Sequence, residues 1–507
     1  MRVRRVTLGL LVSGSILLGI VAFLVGRELW WARHAAPSPT IDYRAQLSKL
    51  LNQQARCETN GWEHVERAAE ACAKISEQIA EGAFEEQEAG LISGVYPTDF
   101  QEILRGDPDR PGVRSILRVM NALEESGLGR ELAVAAAAPC LRMPLISDPT
   151  SSVRSDTAVA NLVLIGDSHA RPLVLNRLAW MRLAARSGDA ARTAEMFEQA
   201  IKIACVQATR GLLIHHLLSN ALIAAALAEV RYELVGREMP IEAIDRIQAV
   251  LRTQSIPKAT VALRGEQLYM LDWLQRIYTD DGNGDGRLIR TEAAASLGSD
   301  PLNPSDPLES APDPSRVSLH WTANLRWRAL PSRKQAVDEI NRMFDSLCMD
   351  AARSPRERAF DAAAFRSTLH PRSSLLSPSL GADSLNHVQR ALSTADGLRA
   401  AWEATRLMLA LESYRVAKGR YPTRLDDLAP SFLRELPTDP FAPDGKFWYR
   451  LNDAAGEGVA AYVLWSAAAG GNEGEASNEN CVGQGTFPIG SATHAFVFTV
   501  PRAQAAE

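Results

Sequence analysis

Residues 6–25 form a run of apolar or small side chains that contains no charge. As an α-helix this run is about long enough to cross the hydrocarbon core of a bilayer, where a helix satisfies its own backbone hydrogen bonds. Arg2, Arg4 and Arg5 precede the run, and positive charge beside a first span favours retention of that end in the cytoplasm. The sequence therefore predicts a single-pass protein of the bacterial inner membrane, with a cytoplasmic tail at residues 1–5 and the bulk of the chain in the periplasm.

Trp30 and Trp31 follow the run and suit the outer membrane interface, where tryptophan is enriched. A cleaved signal peptide is the alternative, because Ala35-Ala36-Pro37 could lie near a cleavage site. The apolar run is long for the hydrophobic region of a signal peptide, so we expect an uncleaved anchor.

The composition indicates a globular protein with a large core. The chain has 507 residues, of which 46% are hydrophobic and 23% are charged, and this predicts two to four folding units. The net charge is only −5, so the strongly basic surface of a nucleic-acid-binding protein is missing. We therefore expect no nucleic-acid partner, and instead the membrane and other proteins of the cell envelope.

Six cysteines in an oxidising compartment could form three disulfides, with fifteen possible connectivities. They are Cys57, Cys72, Cys140, Cys205, Cys348 and Cys481. The first pairing that we expect is Cys57 with Cys72, because their short separation fits two neighbouring helices or turns. The alternative for some cysteines is a buried thiol, and the apolar surroundings of Cys205 favour that reading.

Residues 41–298 are predicted to form a helical domain. The first hundred of them are rich in Ala, Glu, Leu and Arg, and further on Ser187-Gly188-Asp189 separates two amphipathic helical patterns. This pattern predicts a helical hairpin. The second helix is similar to half of a tetratricopeptide unit, but no fixed-period array follows, so stacked helical hairpins are the prediction.

The predicted secondary structure changes along the rest of the chain. Residues 299–316 are crowded with Pro, Asp and Ser and predict a linker or loop without regular structure. Residues 317–397 predict a helical connector with a second loop at 370–386. Residues 398–501 predict a small α+β domain, with one helix followed by strands at 447–451, 460–466 and 495–500. The fold class is therefore mainly α, a helical-hairpin ectodomain with a small C-terminal α+β domain.

The twelve residues 281–292 have an oxygen-bearing group at each ligand position of a calcium-binding loop. The predicted ligands are Asp281, Asn283, Asp285, the backbone carbonyl of Arg287 and the bidentate carboxylate of Glu292. Gly286 stands where such a loop turns sharply, and an amphipathic helix with Leu271 and Leu274 leads into it. The segment resembles an EF-hand loop, which implies one bound Ca²⁺. An acidic surface turn is the alternative.

The C-terminal fifth contains short motifs in a fixed order. They are Ala410-Leu411-Glu412-Ser413-Tyr414, Gly419-Arg420-Tyr421-Pro422, Leu425, Leu428, Pro430, Leu436-Pro437-Thr438-Asp439-Pro440-Phe441, Tyr449-Arg450 and Tyr462-Val463-Leu464-Trp465-Ser466. This segment resembles the globular domain of a type II secretion major pseudopilin. The resemblance implies a helix that ends at Gly419, a Pro-rich bend and a small antiparallel sheet.

Three departures separate the chain from that family. In the family the apolar N-terminal helix runs straight into this domain, whereas here the predicted span lies far upstream across a long helical insert. The family also has a processing site and a glutamate in that helix, whereas residues 6–25 contain no acidic residue. Ala467, Ala468 and Ala469 stand where the family has a calcium-binding aspartate, so no second calcium site is expected. The predicted function is therefore a structural or scaffolding role related to type II secretion machinery, and no catalytic residues are assigned.

A hydrolase is the alternative function. The apolar residues up to Gly166 are followed by Asp167-Ser168-His169, which resembles the nucleophile block of SGNH-type esterases and acyltransferases. No late Asp-x-x-His block follows, because Asp383 and His387 stand one residue too far apart. The other interpretation is a cap for a helix that begins near Pro172.

A metal site at His215 and His216 is not expected. The two residues are adjacent in a helix and point about 100° apart, so we expect one in the core and the other partly exposed.

Overall fold

The computed structural model describes residues 23–24, 26–27, 30–31, 34–52, 59–80, 111–145, 159, 167–236, 239–283, 285–289, 292, 299–300, 303–307, 331–358, 360–368, 382–451, 461–466 and 496–498. This part of the chain is mainly helical, with a small antiparallel sheet near the C-terminus, as the sequence predicts. The first 22 residues lie outside the described residues, and so do the alanines 467–469.

The described helices follow one another along the chain. They are α1 (Tyr43–Asn52), α2 (Trp62–Ala80), α3 (Pro111–Glu125), α4 (Leu128–Ala137), α5 (Asp167–Arg186), α6 (Ala190–Gln207), α7 (Leu213–Gly236), α8 (Ile241–Thr253), α9 (Ala259–Ile277), α10 (Arg333–Ala351), α11 (Ala362–Ser367) and α12 (Ala382–Lys418). The strands are β1 (Ser299–Asp300), β2 (Asn303–Pro307), β3 (Trp448–Leu451), β4 (Tyr462–Ser466) and β5 (Phe496–Val497).

The predicted helical hairpin is present as α5 and α6, which pack along each other. Gly188 has a φ of 75°, in the left-handed region that glycine adopts without strain. Asp189 caps α6, because its side chain accepts the backbone N–H of Arg192 at 3.0 Å. The turn between the helices therefore depends on two adjacent residues, Gly188 and Asp189, which can be recognised in the sequence.

Helix α7 is central, because it packs against α5, α6, α9 and α12. Its segment Leu213–Leu234 is long and apolar enough to cross a membrane, and 61% of that window is buried inside the structure. Among the described residues it is the one helix that meets this criterion. Its apolar surface is used in helix packing, which explains why it is hydrophobic on all sides.

Helix α12 runs for 37 residues, Ala382–Lys418, and passes through the domain boundary predicted at residue 398. The prediction of a loop up to residue 386 is wrong for its last five residues. The helix packs against α7 and α8 on one side and contacts β4 on another. Its middle part, from Leu398 to Leu411, contributes to the helical core, and tertiary packing of this kind stabilises a long helix. It ends where predicted, at Gly419, which has a φ of 71°.

The C-terminal sheet has the order β3-β4-β5, and all neighbouring strands are antiparallel. The three strands fall within the three predicted runs. Asp439, in the Pro-rich bend, is buried, and its Oδ1 accepts the backbone N–H of Phe441 (2.9 Å) and the hydroxyl of Ser466 (2.7 Å). The bend is therefore fixed to the end of β4 by a buried carboxylate.

Two predictions about local structure are wrong. The segment expected to lack regular structure contains the β1–β2 pair, in which Ser299 lies opposite Pro307. Cys72 is a buried thiol outside any disulfide, whereas Cys140 is disulfide-bonded. Cys72 belongs to the core beneath α2, and this burial raises the pKa of its thiol to about 12. Sequence separation alone does not show which way a cysteine faces.

A buried ion-pair cluster joins the helical hairpin to the central helix. Arg182 of α5 pairs with Glu229 and Glu233 of α7, and its Nε lies 3.1 Å from Oε1 of Glu233. All three side chains are less than a tenth exposed. Buried charges are stable only when they are paired, so this cluster specifies how α5 and α7 align.

We expect Arg182→Ala to lower the free energy of unfolding by about 3–5 kcal/mol, because it removes the cation that faces two buried carboxylates. Arg130→Ala is the matched control: its side chain is 79% exposed and pairs with Glu131 on the surface, so its cost should stay below about 1 kcal/mol. Urea denaturation of the full chain in detergent, followed by far-ultraviolet circular dichroism, measures both. Equal effects of the two substitutions would contradict the assignment.

Candidate functional site

The predicted calcium loop begins directly after α9 and folds back on itself. Tyr278 and Leu288 face each other in an antiparallel bridge, and both side chains are buried. The backbone N–H of Thr279 donates to the carbonyl of Arg287 at 2.9 Å. The two ends of the loop are therefore held together by core contacts, and the acidic residues lie on the turn between them.

Asp281 organises this turn. Its Oδ1 accepts the backbone N–H groups of Asn283 at 2.9 Å and Asp285 at 3.0 Å. A Cβ added at Gly286 would lie 1.8 Å from the carbonyl oxygen of Thr279, so a side chain cannot be accommodated there. The structure thus gives a physical reason for the glycine that the sequence places at the sharp turn. It also brings the oxygen-bearing side chains at positions 281, 283 and 285 into one turn.

The loop also caps the next helix. The Oδ1 of Asp285 accepts the N–H of Gly286 (3.0 Å), and Gly286 in turn accepts the N–H of Arg333 at 3.1 Å. A hydrogen bond from the Ser332 side chain, followed by the backbone N–H of Lys334, lowers the pKa of the Asp285 carboxyl. A carboxylate at the start of α10 is favourable because the first N–H groups of a helix carry partial positive charge. This role was not predicted from the sequence.

Glu292 is not part of this arrangement. Its side chain is exposed on a helical turn, and the residues between it and Ile289 lie outside the described part. No three carboxylate, imidazole or thiol groups among the described residues lie close enough together to hold a metal ion. The turn around Asp281 and Asp285 fits a hard cation in the kind of oxygen it offers. Binding would require Glu292 to close over that turn.

Ser168 lies in the first turn of α5, which begins at Asp167 rather than near Pro172 as predicted. Pro172 is the sixth residue of this helix, where its ring removes the hydrogen bond that an N–H would make to the carbonyl of Ser168. The sheets in the described part of the chain are antiparallel. In SGNH-type enzymes the serine of the nucleophile block follows a strand, whereas Ser168 lies in a helix. The described residues therefore do not support the hydrolase alternative.

His215 and His216 are both buried, each with 1% of its surface exposed, so the prediction that one is partly exposed is wrong. His216 shares one face of α7 with Ser219 and Asn220, which are equally buried. The side-chain nitrogen and oxygen atoms of these three residues have no hydrogen-bond partner. Periodicity could not show this burial, because α7 packs against several helices that are distant from it in sequence.

The buried His216 should make the fold sensitive to acid. Burial lowers the pKa of its imidazole to about 4 from an ordinary 6.5. The unfolded chain therefore binds more protons between these values, and stability falls as the pH drops through that window. We expect a loss of about 2 kcal/mol between pH 8 and pH 5 from this residue.

His216→Gln should remove that part of the pH dependence, whereas His34→Gln, at an exposed histidine, should leave it. Urea denaturation of each variant at pH 8 and pH 5 gives the comparison. An unchanged pH dependence in His216→Gln would show that the imidazole is accessible to protons in the folded state.

Comparison with protein-family models, curated proteins and solved structures gives no match for this chain. Its function is therefore inferred from its own residues and their contacts.

Proposed function

We propose that this chain is a membrane-anchored, outward-facing structural or scaffolding protein of the bacterial envelope, stabilised by one calcium ion and related to type II secretion machinery. One observation carries the proposal. The segment that follows the predicted span is bound to the ectodomain at several points, so the anchor and the helical domain are joined without a free tether.

Three contacts hold this segment, residues 31–41, which we call the connector. The guanidinium of Arg287 lies 5.6 Å from the ring centroid of Trp31. Nη1 of Arg333 donates to the carbonyl of Ser38 at 3.3 Å. The side chain of Gln275 hydrogen-bonds both the N–H (3.2 Å) and the carbonyl (2.8 Å) of Ile41. Trp31, Ser38 and Ile41 therefore pack against residues of the helical domain on both sides of Ala35-Ala36-Pro37.

The relation to secretion machinery rests on the C-terminal motifs and on the antiparallel sheet that follows them. The core of that region is continuous with the helical domain: α12 packs against α7 and α8, and Leu464 of β4 belongs to the same buried cluster. A module built into the core in this way supports a scaffold that presents a fixed surface to envelope proteins. It favours neither a subunit that polymerises nor an enzyme.

The predicted topology is tested by a reporter fused after Glu507. A reporter that is active only in the periplasm should be active, and one that is active only in the cytoplasm should be silent, because Arg2, Arg4 and Arg5 hold the short tail inside. Sequencing of the purified protein should find the N-terminus ahead of the apolar run. A mature N-terminus near Ala36 would contradict the anchor.

Calcium should raise the melting temperature of the full chain in detergent. A ligand at about one hundred times its dissociation constant stabilises the folded state by roughly 2.7 kcal/mol. Glu292→Ala removes two predicted ligand oxygens and should abolish the shift, while the melting temperature in chelator stays nearly unchanged. Differential scanning fluorimetry in calcium and in chelator measures both.

The control for this substitution is Glu125→Ala, at an exposed glutamate that ends α3. It should keep the full calcium response, because it changes the net charge equally but lies on a different helix. Magnesium should substitute poorly, since it gives up its water reluctantly. If the wild-type chain melts identically in calcium and in chelator and calorimetry detects no heat of binding, residues 281–292 form only an acidic turn.

A further inference from the structure

We propose that a cleft between α1 and the segment from Arg142 to Leu145 binds a phosphate group, with Arg142 as the main residue that holds it. We call it the α1 cleft. The proposal is independent of the calcium loop and of the membrane anchor. It rests on the cavity, on the donors that line it and on the charge of Arg142.

The α1 cleft lies along one face of α1. Its volume is about 440 Å³, within the range of sites for small molecules. Arg44, Ser48 and Asn52 line it at intervals of four residues, so they follow one another on one side of the helix over about 12 Å. At one end of the opposite wall, Nη1 of Arg142 donates to Oδ1 of Asn52 at 2.7 Å. At the other end, the carbonyl of Leu145 accepts Nη2 of Arg44 at 2.7 Å.

Both walls of the cleft are fixed by contacts with the rest of the protein. Leu47 of α1 is buried in the core. The backbone of Arg142 is held by Asn60, which accepts its N–H at 2.9 Å and donates to its carbonyl at 2.6 Å. The N–H of Met143 donates to the hydroxyl of Thr209 at 3.2 Å. A ligand would therefore meet a site that is already formed, which lowers the free-energy cost of binding.

Arg142 carries a partly buried charge without an acidic partner. Among the residues that the structure describes, no carboxylate lies within ion-pair distance of its guanidinium, and Asn52 is its one side-chain hydrogen-bond partner. Burial lowers the pKa of this guanidinium, because the charged form loses contact with water. An anion in the cleft would compensate the charge, and the guanidinium has further N–H donors in the fork that fits phosphate oxygens.

The donors favour a phosphate over a carboxylate. Nδ2 of Asn52 donates to Oγ of Ser48 at 3.4 Å, which leaves the hydroxyl hydrogen of Ser48 available to the cleft. A phosphate has oxygens for both the guanidinium fork and this hydroxyl, whereas a carboxylate has only two oxygens. Asp42 is the one carboxylate among the described lining residues. Its Oδ1 accepts the N–H of Ala45 at 2.8 Å, at the end of the cleft opposite to Arg142.

Isothermal titration of inorganic phosphate into the full chain, in an uncharged detergent and a phosphate-free buffer, tests the site. Arg142→Ala should weaken phosphate binding about ten- to a hundred-fold, because it removes charge-assisted hydrogen bonds at a partly buried position. Lys49→Ala is the matched control. Lys49 carries the same charge on the same helix, but it is exposed and does not line the cleft, so its removal should leave the affinity unchanged.

Ser48→Leu separates loss of the site from loss of the fold. The larger side chain fills the middle of the cleft and leaves Arg142 with its hydrogen bond to Asn52. Phosphate binding should be lost, while the helix content measured by circular dichroism stays that of the wild type. Phosphate binding by Ser48→Leu as tight as that of the wild type would overturn the proposal, and so would equal weakening by Lys49→Ala.

Native mass spectrometry of the purified chain distinguishes two sources of the phosphate group. An anionic phospholipid that the wild type retains and Arg142→Ala loses would support the site and identify a lipid headgroup. Binding of glycerol phosphate without any retained lipid would support the site and identify a soluble ligand. Three outcomes would overturn the proposal: equal phosphate affinity of the wild type and Arg142→Ala, acetate binding as tight as phosphate binding, or a wild type that neither binds phosphate nor retains phospholipid.

Discussion

The fold depends on the packing of helix α7, most of which is buried. An apolar helix surrounded by α5, α6, α9 and α12 removes a large hydrophobic surface from water, and this is the main favourable term in folding. Burial of α7 also places the carboxylates of Glu229 and Glu233 in the core. These charges are stable there because Arg182 pairs with both of them. Hydrophobic packing supplies the stability, and the ion pairs select one alignment of the helices.

This central position of α7 also determines how the C-terminal region is attached. Helix α12 covers one side of α7 and carries the small sheet, so Leu407 of the helix and Phe498 beside the sheet belong to the same buried cluster as the hairpin α5–α6. A segment that resembles a separate globular module is in this chain continuous with the main core. Its surface is therefore held in a fixed relation to the helical domain, as the proposed scaffolding role requires.

The acidic turn after α9 joins three parts of the molecule. Its ends are fixed by the buried pair Tyr278 and Leu288, its carboxylates contact the start of α10, and Arg287 reaches the connector. A calcium ion in this position would neutralise neighbouring carboxylates. The contact between Arg287 and the connector contributes to the fixed presentation of the ectodomain at the proposed anchor.

Local chemistry in the sequence determined the features that depend on few neighbouring residues. Helical periodicity, the Gly188-Asp189 turn, the end of α12 at Gly419, the three C-terminal strands and the need for Gly286 all follow from backbone preferences and nearby side chains. The tertiary structure alone decided that α12 starts before the predicted boundary, that His215 and His216 are both buried, that Cys72 is outside a disulfide, and that Asp285 contacts the start of α10. These features arise where segments distant in sequence meet, and the free energy of burial or of a helix cap at such a contact exceeds what local preference contributes.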